Sequence, residues 1–212
     1  MERHTLSISK TARYFMAGEP GPEVTDVWFC FHGYAQLAGA FLQEFDGLTA
    51  PERLFVAPEG LSRFYRRGGG GDIAASWMTS LERTDEIEDY VRYIDAVRGQ
   101  VFGNLDPATR VHALGFSQGA ATAARWALLG YSPVKRLILW AGDVPPDLDL
   151  LSCRSRLQST ELVMVRGNAD TWLSEDRWLA EKERLRVAGI ACRFIDFEGG
   201  HQLDSDVLDR LV

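Results

Sequence analysis

The sequence predicts an α/β fold: a mostly parallel central sheet flanked by helices on both faces. Three observations carry that expectation. Short, nearly continuous apolar runs recur along the chain, as strands buried on both faces require. Segments with apolar residues at helical spacing lie between them. The two patterns alternate, and that order sets parallel strands side by side with crossover helices.

The elements follow in order. Leu6–Ser9 and Tyr14–Ala17 read as an antiparallel lead-in hairpin, with turn chemistry at Gly18-Glu-Pro-Gly-Pro22. Val24–Phe31, Leu54–Ala57, Val111–Phe116, Leu137–Trp140, Leu162–Val165 and Cys192–Phe197 read as buried strands. A helix is expected where Ile87, Tyr90, Val91, Ile94, Val97 and Val101 repeat, with Thr84 as its N-cap and Asp85 and Glu86 at the positive end of its dipole. Gln118–Leu129 is rich in Ala and Leu and reads as a second helix, with Gly130 as its C-cap. A third starts near Ser174, turns Leu179 and Leu185 inward and ends at Gly189. Arg66-Arg-Gly-Gly-Gly-Gly71 reads as a flexible loop, and Asp143-Val-Pro-Pro146 stops a strand.

Length and composition bound the function. At 212 residues the chain is expected to form one domain, residues 1–212, with a core large enough to need no metal or disulfide staple. The net charge of −7 opposes nucleic acid and anionic membranes, which attract basic patches. Cys30, Cys153 and Cys192 are far apart and odd in number, which reads as free thiols in a reducing compartment. With no signal-peptide pattern at the start, the expected location is cytoplasmic. No G-x-G-x-x-G follows a strand, there is no P-loop and no HExxH. The expectation is therefore no cofactor and no metal, with a small-molecule ester as partner; a homodimer stays open.

In open α/β sheets, ligands sit at the carboxyl ends of the strands. One strand end there reads Gly115-Phe-Ser-Gln-Gly119, a G-x-S-x-G pattern between a strand and a helix. The spacing has a physical reason. A serine lifted out of the sheet on a sharp turn brings strand and helix so close that side chains two residues away would clash. Gly115 and Gly119 remove them, and Ala120 and Ala121 keep the next helical turn thin. Ser117 is the candidate nucleophile and needs a base. Of the four histidines, His4 precedes every strand end and His112 lies inside a strand. His201, after the last strand in Phe197-Glu-Gly-Gly-His201, is the candidate. The orienting acid is expected between serine and histidine in the chain. Asp170 fits best, Asp143 is the runner-up, and Asp196 falls inside a strand. The oxyanion donors are expected at the backbone N–H of Gln118 and, beyond Gly33, of Tyr34. His32 reads as a structural ring across that loop.

His32-Gly33, Gly115-Phe-Ser-Gln-Gly119, Asp170 and Gly199-Gly-His201 together resemble the phospholipase/carboxylesterase family, which includes acyl-protein thioesterases, over residues 24 to 202. The resemblance implies an α/β-hydrolase fold with no cap domain, no cofactor and a Ser-His-Asp triad forming an acyl-enzyme. Ser76-Trp-Met78 looks like the family's tryptophan segment near the cleft, which implies substrate binding by Trp77. Two departures are visible: the run after His32-Gly33 is Tyr34-Ala-Gln-Leu37, without the family's aspartate, and Ala120 stands where the family has a second glycine. The expected activity is a serine carboxylesterase for short to medium acyl esters. The alternatives are an acyl thioesterase or lysophospholipase of the same fold, or a binding protein that has lost catalysis.

Overall fold

Strands with apolar side chains on both sides can bury themselves only between two helical layers. The computed structural model, which describes residues 1–212, has that arrangement. Its main sheet runs β1 (Tyr14–Ala17), β3 (Arg53–Pro58), β2 (Asp26–Phe31), β6 (Arg110–Phe116), β7 (Arg136–Trp140), β8 (Glu161–Gly167) and β9 (Arg193–Phe197) in spatial order. Only β1 is antiparallel to its neighbour; every other pair in this sheet is parallel.

The period-2 alternation of each strand divides the apolar residues between two cores. Val27, Phe29 and Phe31 of β2 join the larger core, under α2 (Arg83–Val101), α3 (Gln118–Leu129), α4 (Arg154–Ser159) and α5 (Glu175–Val187). Trp28 and Cys30 join the smaller one, under α1 (Ala38–Leu42) and α6 (Ser205–Leu211). No helix is long and apolar enough to cross a membrane.

All six expected strands form, although β9 lies at the sheet edge with only Phe197 buried, and α3 has the expected bounds. α5 begins as expected, with the Ser174 side chain accepting from the Arg177 N–H. Several expectations are corrected. Leu6–Ser9 forms no strand; Tyr14–Ala17 pairs instead with β3. α2 starts from Glu82 in the left-handed region (φ +51°), so Thr84 lies inside the helix and does not cap it. On α5 the inward positions are Trp178, Glu181 and Leu185; Leu179, one residue round from Trp178, is 51% exposed. Gly130 does end α3, but at φ −70°, outside the left-handed region.

The largest correction concerns the arginine–glycine loop. It is the tip of a hairpin, β4 (Ser62–Arg67) and β5 (Gly70–Ser76), which forms a separate two-stranded sheet. Arg67 pairs with Gly70, leaving Gly68 and Gly69 as a two-residue turn with Gly69 at φ +76°. Such turns require positive φ, which glycine takes without steric penalty.

Candidate active site

Ser117 is the single residue between β6 and α3, and it sits at φ +54°, ψ −116°. That backbone is strained for a non-glycine residue and persists only where its surroundings force it. Those surroundings are glycine contacts. A Cβ on Gly115 would lie 2.1 Å from the Gly119 carbonyl oxygen, and one on Gly119 would lie 2.0 Å from that of Phe31. α3 is thereby pressed onto the ends of β6 and β2. The Ser117 N–H donates to the Trp140 carbonyl at 2.8 Å, which ties the turn to β7 as well.

The loop after β9 is placed by the same device. A Cβ on Gly167 would stand 2.3 Å from both the Gly199 and Gly200 carbonyl oxygens. The Asn168 and Ala169 N–H groups donate to the carbonyls of Phe197 and Gly199 at 2.8 and 2.9 Å. His201 emerges from this crossing with its ring against Phe116, 4.9 Å between centroids. Its Nδ1 lies 2.8 Å from Asp170 Oδ2 and its Nε2 lies 2.9 Å from Ser117 Oγ. Asp170 is fixed in turn: its Oδ1 accepts from the N–H groups of Trp172 and Leu173 at 2.7 and 3.0 Å. A carboxylate facing Nδ1 selects the tautomer with hydrogen there. The Nε2 lone pair is then left to accept from Ser117.

The other two carboxylates are spoken for. Asp143 pairs with Arg177, and Asp196 pairs with Arg166. Neither contacts His201, so Asp170 is the acid that meets the histidine.

Gly33, Tyr34, Ala35 and Gln36 form a tight turn closed by Gln36 N–H donating to the Gly33 carbonyl at 3.2 Å, with Ala35 at φ +61°. The Gln36 side chain accepts from the Gly33 N–H at 2.6 Å, and Ala35 N–H donates to the Ala75 carbonyl at 2.9 Å. The N–H of Tyr34 has no acceptor within the protein. Gln118, the first residue of α3, likewise has no intrahelical carbonyl to donate to. A Cβ on Gly119 would also lie 2.6 Å from the His32 carbonyl oxygen, so α3 begins against the loop that carries Tyr34.

The supports of this turn were only partly legible. His32 is fully buried, its Nδ1 facing the Gly33 carbonyl at 2.8 Å and its Nε2 accepting from the Gly60 N–H at 3.0 Å. Burial pushes its pKa down and keeps the ring neutral, as a structural role requires. Trp77 is corrected: it is 1% exposed, stacks on His32 and donates from its indole nitrogen to the His32 carbonyl at 2.9 Å. It carries the loop from beneath and presents no surface to a substrate. The Gln118 side chain, unassigned from sequence, accepts from the Trp77 N–H at 3.1 Å and donates to the Met78 carbonyl at 2.9 Å. The β4–β5 hairpin also braces the turn, since Arg66 donates to the Ala35 carbonyl and Phe64 stacks on Tyr34. Two aromatic rings remain open to solvent at the site: Tyr34, 60% exposed, and Trp172, 73% exposed with its centroid 6.2 Å from His201.

No family model and no curated protein matches the sequence. Solved structures do match the fold. Acyl-protein thioesterase 2 of Zea mays superposes with a TM-score of 0.73 at 17% identity, over 95% of this chain and 96% of that one. Esterase PE8 gives 0.69 at 21% identity, over 95% and 96%. The phospholipase/carboxylesterase of Dyadobacter fermentans gives 0.63 at 16% identity, over 97% and 98%. This is the α/β-hydrolase fold. At these identities the likeness concerns the path of the chain, and it spans nearly the whole length of each partner. Within the fold, Ser117 occupies the strand-to-helix turn, and Asp170 and His201 follow the last two parallel strands.

Proposed function

We propose that the chain is a serine carboxylesterase that hydrolyses short to medium acyl esters through an acyl-enzyme on Ser117. The observation that carries this reading is the continuous line of hydrogen bonds from Ser117 through His201 to Asp170. His201 Nε2 takes the Ser117 hydroxyl proton as Oγ attacks the ester carbonyl. Asp170 holds the ring by its Nδ1–H and stabilises the imidazolium that forms. The backbone N–H groups of Tyr34 and Gln118 receive the developing oxyanion, and each such donor is worth about 10²- to 10³-fold in rate. As the tetrahedral intermediate collapses, His201 returns the proton to the leaving alcohol oxygen. A water molecule then repeats the sequence on the acyl-enzyme, releasing the acid and restoring Ser117.

The preference for short to medium chains rests on the openness of the site. Only the six-residue α4 stands between β7 and β8, where a cap would be inserted. Tyr34 and Trp172 supply limited apolar surface beside the nucleophile. Thioester hydrolysis is the second reading, favoured by the likeness to the maize acyl-protein thioesterase; it would use the same residues and steps. A series of para-nitrophenyl esters from acetate to palmitate, run beside the matching thioesters, tests both. The expected result is turnover of acetate to hexanoate in preference to palmitate, with no jump in rate when the substrate forms an interface. A clear preference for palmitate or a sharp interfacial jump would overturn the short-chain reading.

A further inference from the structure

The opposite end of the sheet holds a cavity that the esterase chemistry leaves unused. β2 and β6 begin in register at Asp26 and Arg110, and Arg136 at the start of β7 pairs with His112. Around these strand starts lies a cavity of about 290 Å³, walled by Asp26, Arg53, Arg110, His112, Lys135 and Arg136, with Glu161 at its side. Four cationic side chains thus face two carboxylate side chains, with Trp28 and Val212 completing the wall, in a chain whose net charge is −7. The carboxylates are already engaged. Asp26 takes Arg110 and His112, and Glu161 takes Arg136. Lys135 and Arg53 contact no carboxylate; Arg53 donates to the Leu48 carbonyl at 3.2 Å.

The floor of the cavity carries a second, independent sign of a ligand. The His112 side chain is 8% exposed, stacked on Trp28 at 4.5 Å, with Nε2 2.6 Å from Asp26 Oδ1. Burial alone would raise the Asp26 carboxyl, but hydrogen bonds from Arg110, Thr25 and His112 outweigh it and bring the pKa to about 2. Asp26 is therefore a carboxylate, and Nε2 carries the hydrogen that faces it. His112 Nδ1 is buried with no partner. Folded proteins seldom leave such an atom unpaired unless something else fills the role.

We propose that this cavity is a second binding site, for a small molecule carrying two or more phosphate or carboxylate groups. Arg53 and Lys135 supply the charge not already neutralised, and His112 adds a buried donor at Nδ1 once the ring takes up a proton. Guanidinium groups suit both oxyanions because their donors pair with two oxygens at once. A concave space of this size fits a small polyanion better than a flat protein surface.

The proposal has a proton-linked consequence. In the free protein burial holds the pKa of His112 down; Asp26 favours its charged form, while Arg136 and Arg110 oppose it, and Glu161, Arg53 and Lys135 also line the cavity. A bound anion beside Nδ1 adds a favourable charge, so ligand and proton help each other to bind.

Titration calorimetry of the full chain at low salt, with inorganic pyrophosphate and separately with citrate, tests the site and distinguishes phosphate from carboxylate selectivity. Saturable one-to-one binding of at least one probe is expected. Lys135→Glu, at an exposed position, is expected to weaken it at least tenfold, and Arg53→Gln to weaken it as well. Nuclear magnetic resonance of the imidazole nitrogens should show the His112 titration midpoint moving up when the probe is added. The proposal is overturned if neither probe binds saturably, if Lys135→Glu binds as tightly as the wild type, or if the His112 midpoint does not rise.

Discussion

At the carboxyl end of the sheet, backbone meets backbone: Gly115, Gly119 and Gly167 let three chain segments pass where a single Cβ would collide. At the amino end the strand starts are joined by side chains, through Asp26 with Arg110 and His112, and Arg136 with Glu161. The first construction fixes atoms to within tenths of an ångström, because packed backbone has nowhere to go. The second tolerates rearrangement at its solvent-facing ion pairs, Arg110 with Asp26 and Arg136 with Glu161, which contribute little and adjust easily. A hydrogen-bonded line from serine to carboxylate needs the first kind of support. A charged cavity that admits ligands of varied shape is served by the second.

The largest effects are expected at the carboxyl end. Ser117→Ala should lower ester hydrolysis by at least about 10⁴-fold, since members of such a triad act as a unit, while circular dichroism stays that of the wild type. Asp170→Asn should cost on the order of 10³- to 10⁴-fold by holding the wrong imidazole tautomer. Asp143→Asn should leave rates within about tenfold, because Asp143 faces Arg177 and not His201. If the Asp143 change were the damaging one, the acid would be misassigned.

Glycine substitutions separate close approach from simple flexibility. Gly119→Ala should destabilise the fold by about 3 kcal/mol or more, as overpacking against fixed backbone does. Gly99, inside α2 with nothing near its missing Cβ, provides the contrast. Gly99→Ala should stabilise by about 0.5–1 kcal/mol in chemical denaturation. Equal effects at the two positions would show that close backbone approach does not set Gly119 apart.

Acidification acts on both ends together, through His32 at one and His112 at the other. Burial lowers the pKa of each ring in the folded protein. The unfolded chain takes up these protons near the ordinary value of about 6.5, so it binds more protons than the folded chain just below that pH. Stability should therefore fall as the pH drops from about 6.5 toward the lowered values. Urea midpoints at pH 7.5 and 5.5 check the sign; an equal or higher midpoint at 5.5 would contradict it. The smallest effect is expected from Arg110→Ala, below about 1 kcal/mol, because the arginine is exposed and Asp26 keeps its bonds from Thr25 and His112.

Much of this design was legible in the sequence, and the misses have physical causes. Residues fixed by backbone contact announce themselves, because only glycine fits; Gly115 and Gly119 on either side of Ser117 are such cases, and Gly167 beneath the loop that carries His201 is another. Buried parallel strands were readable as apolar runs. The β4–β5 hairpin was not, because its strands carry Arg63, Arg66, Arg67 and Asp72, and the glycines of its turn look like a flexible tract. Trp77 lies beneath the turn of Gly33 to Gln36 and not in the cleft; a sequence pattern gives no information on which face of a loop a ring packs. The part played by the Gln118 side chain depends on contacts some forty residues away in the chain, beyond the reach of local spacing.

Covalent labelling tests most directly whether Ser117 is the nucleophile that takes the acyl group. The protein would be treated with a fluorophosphonate and analysed by intact mass and by peptide mapping. One adduct per chain is expected, located on the peptide containing Gly115-Phe-Ser-Gln-Gly119, absent from Ser117→Ala and formed far more slowly by a His201→Ala protein. An adduct on another residue, or undiminished labelling of Ser117→Ala, would contradict the account.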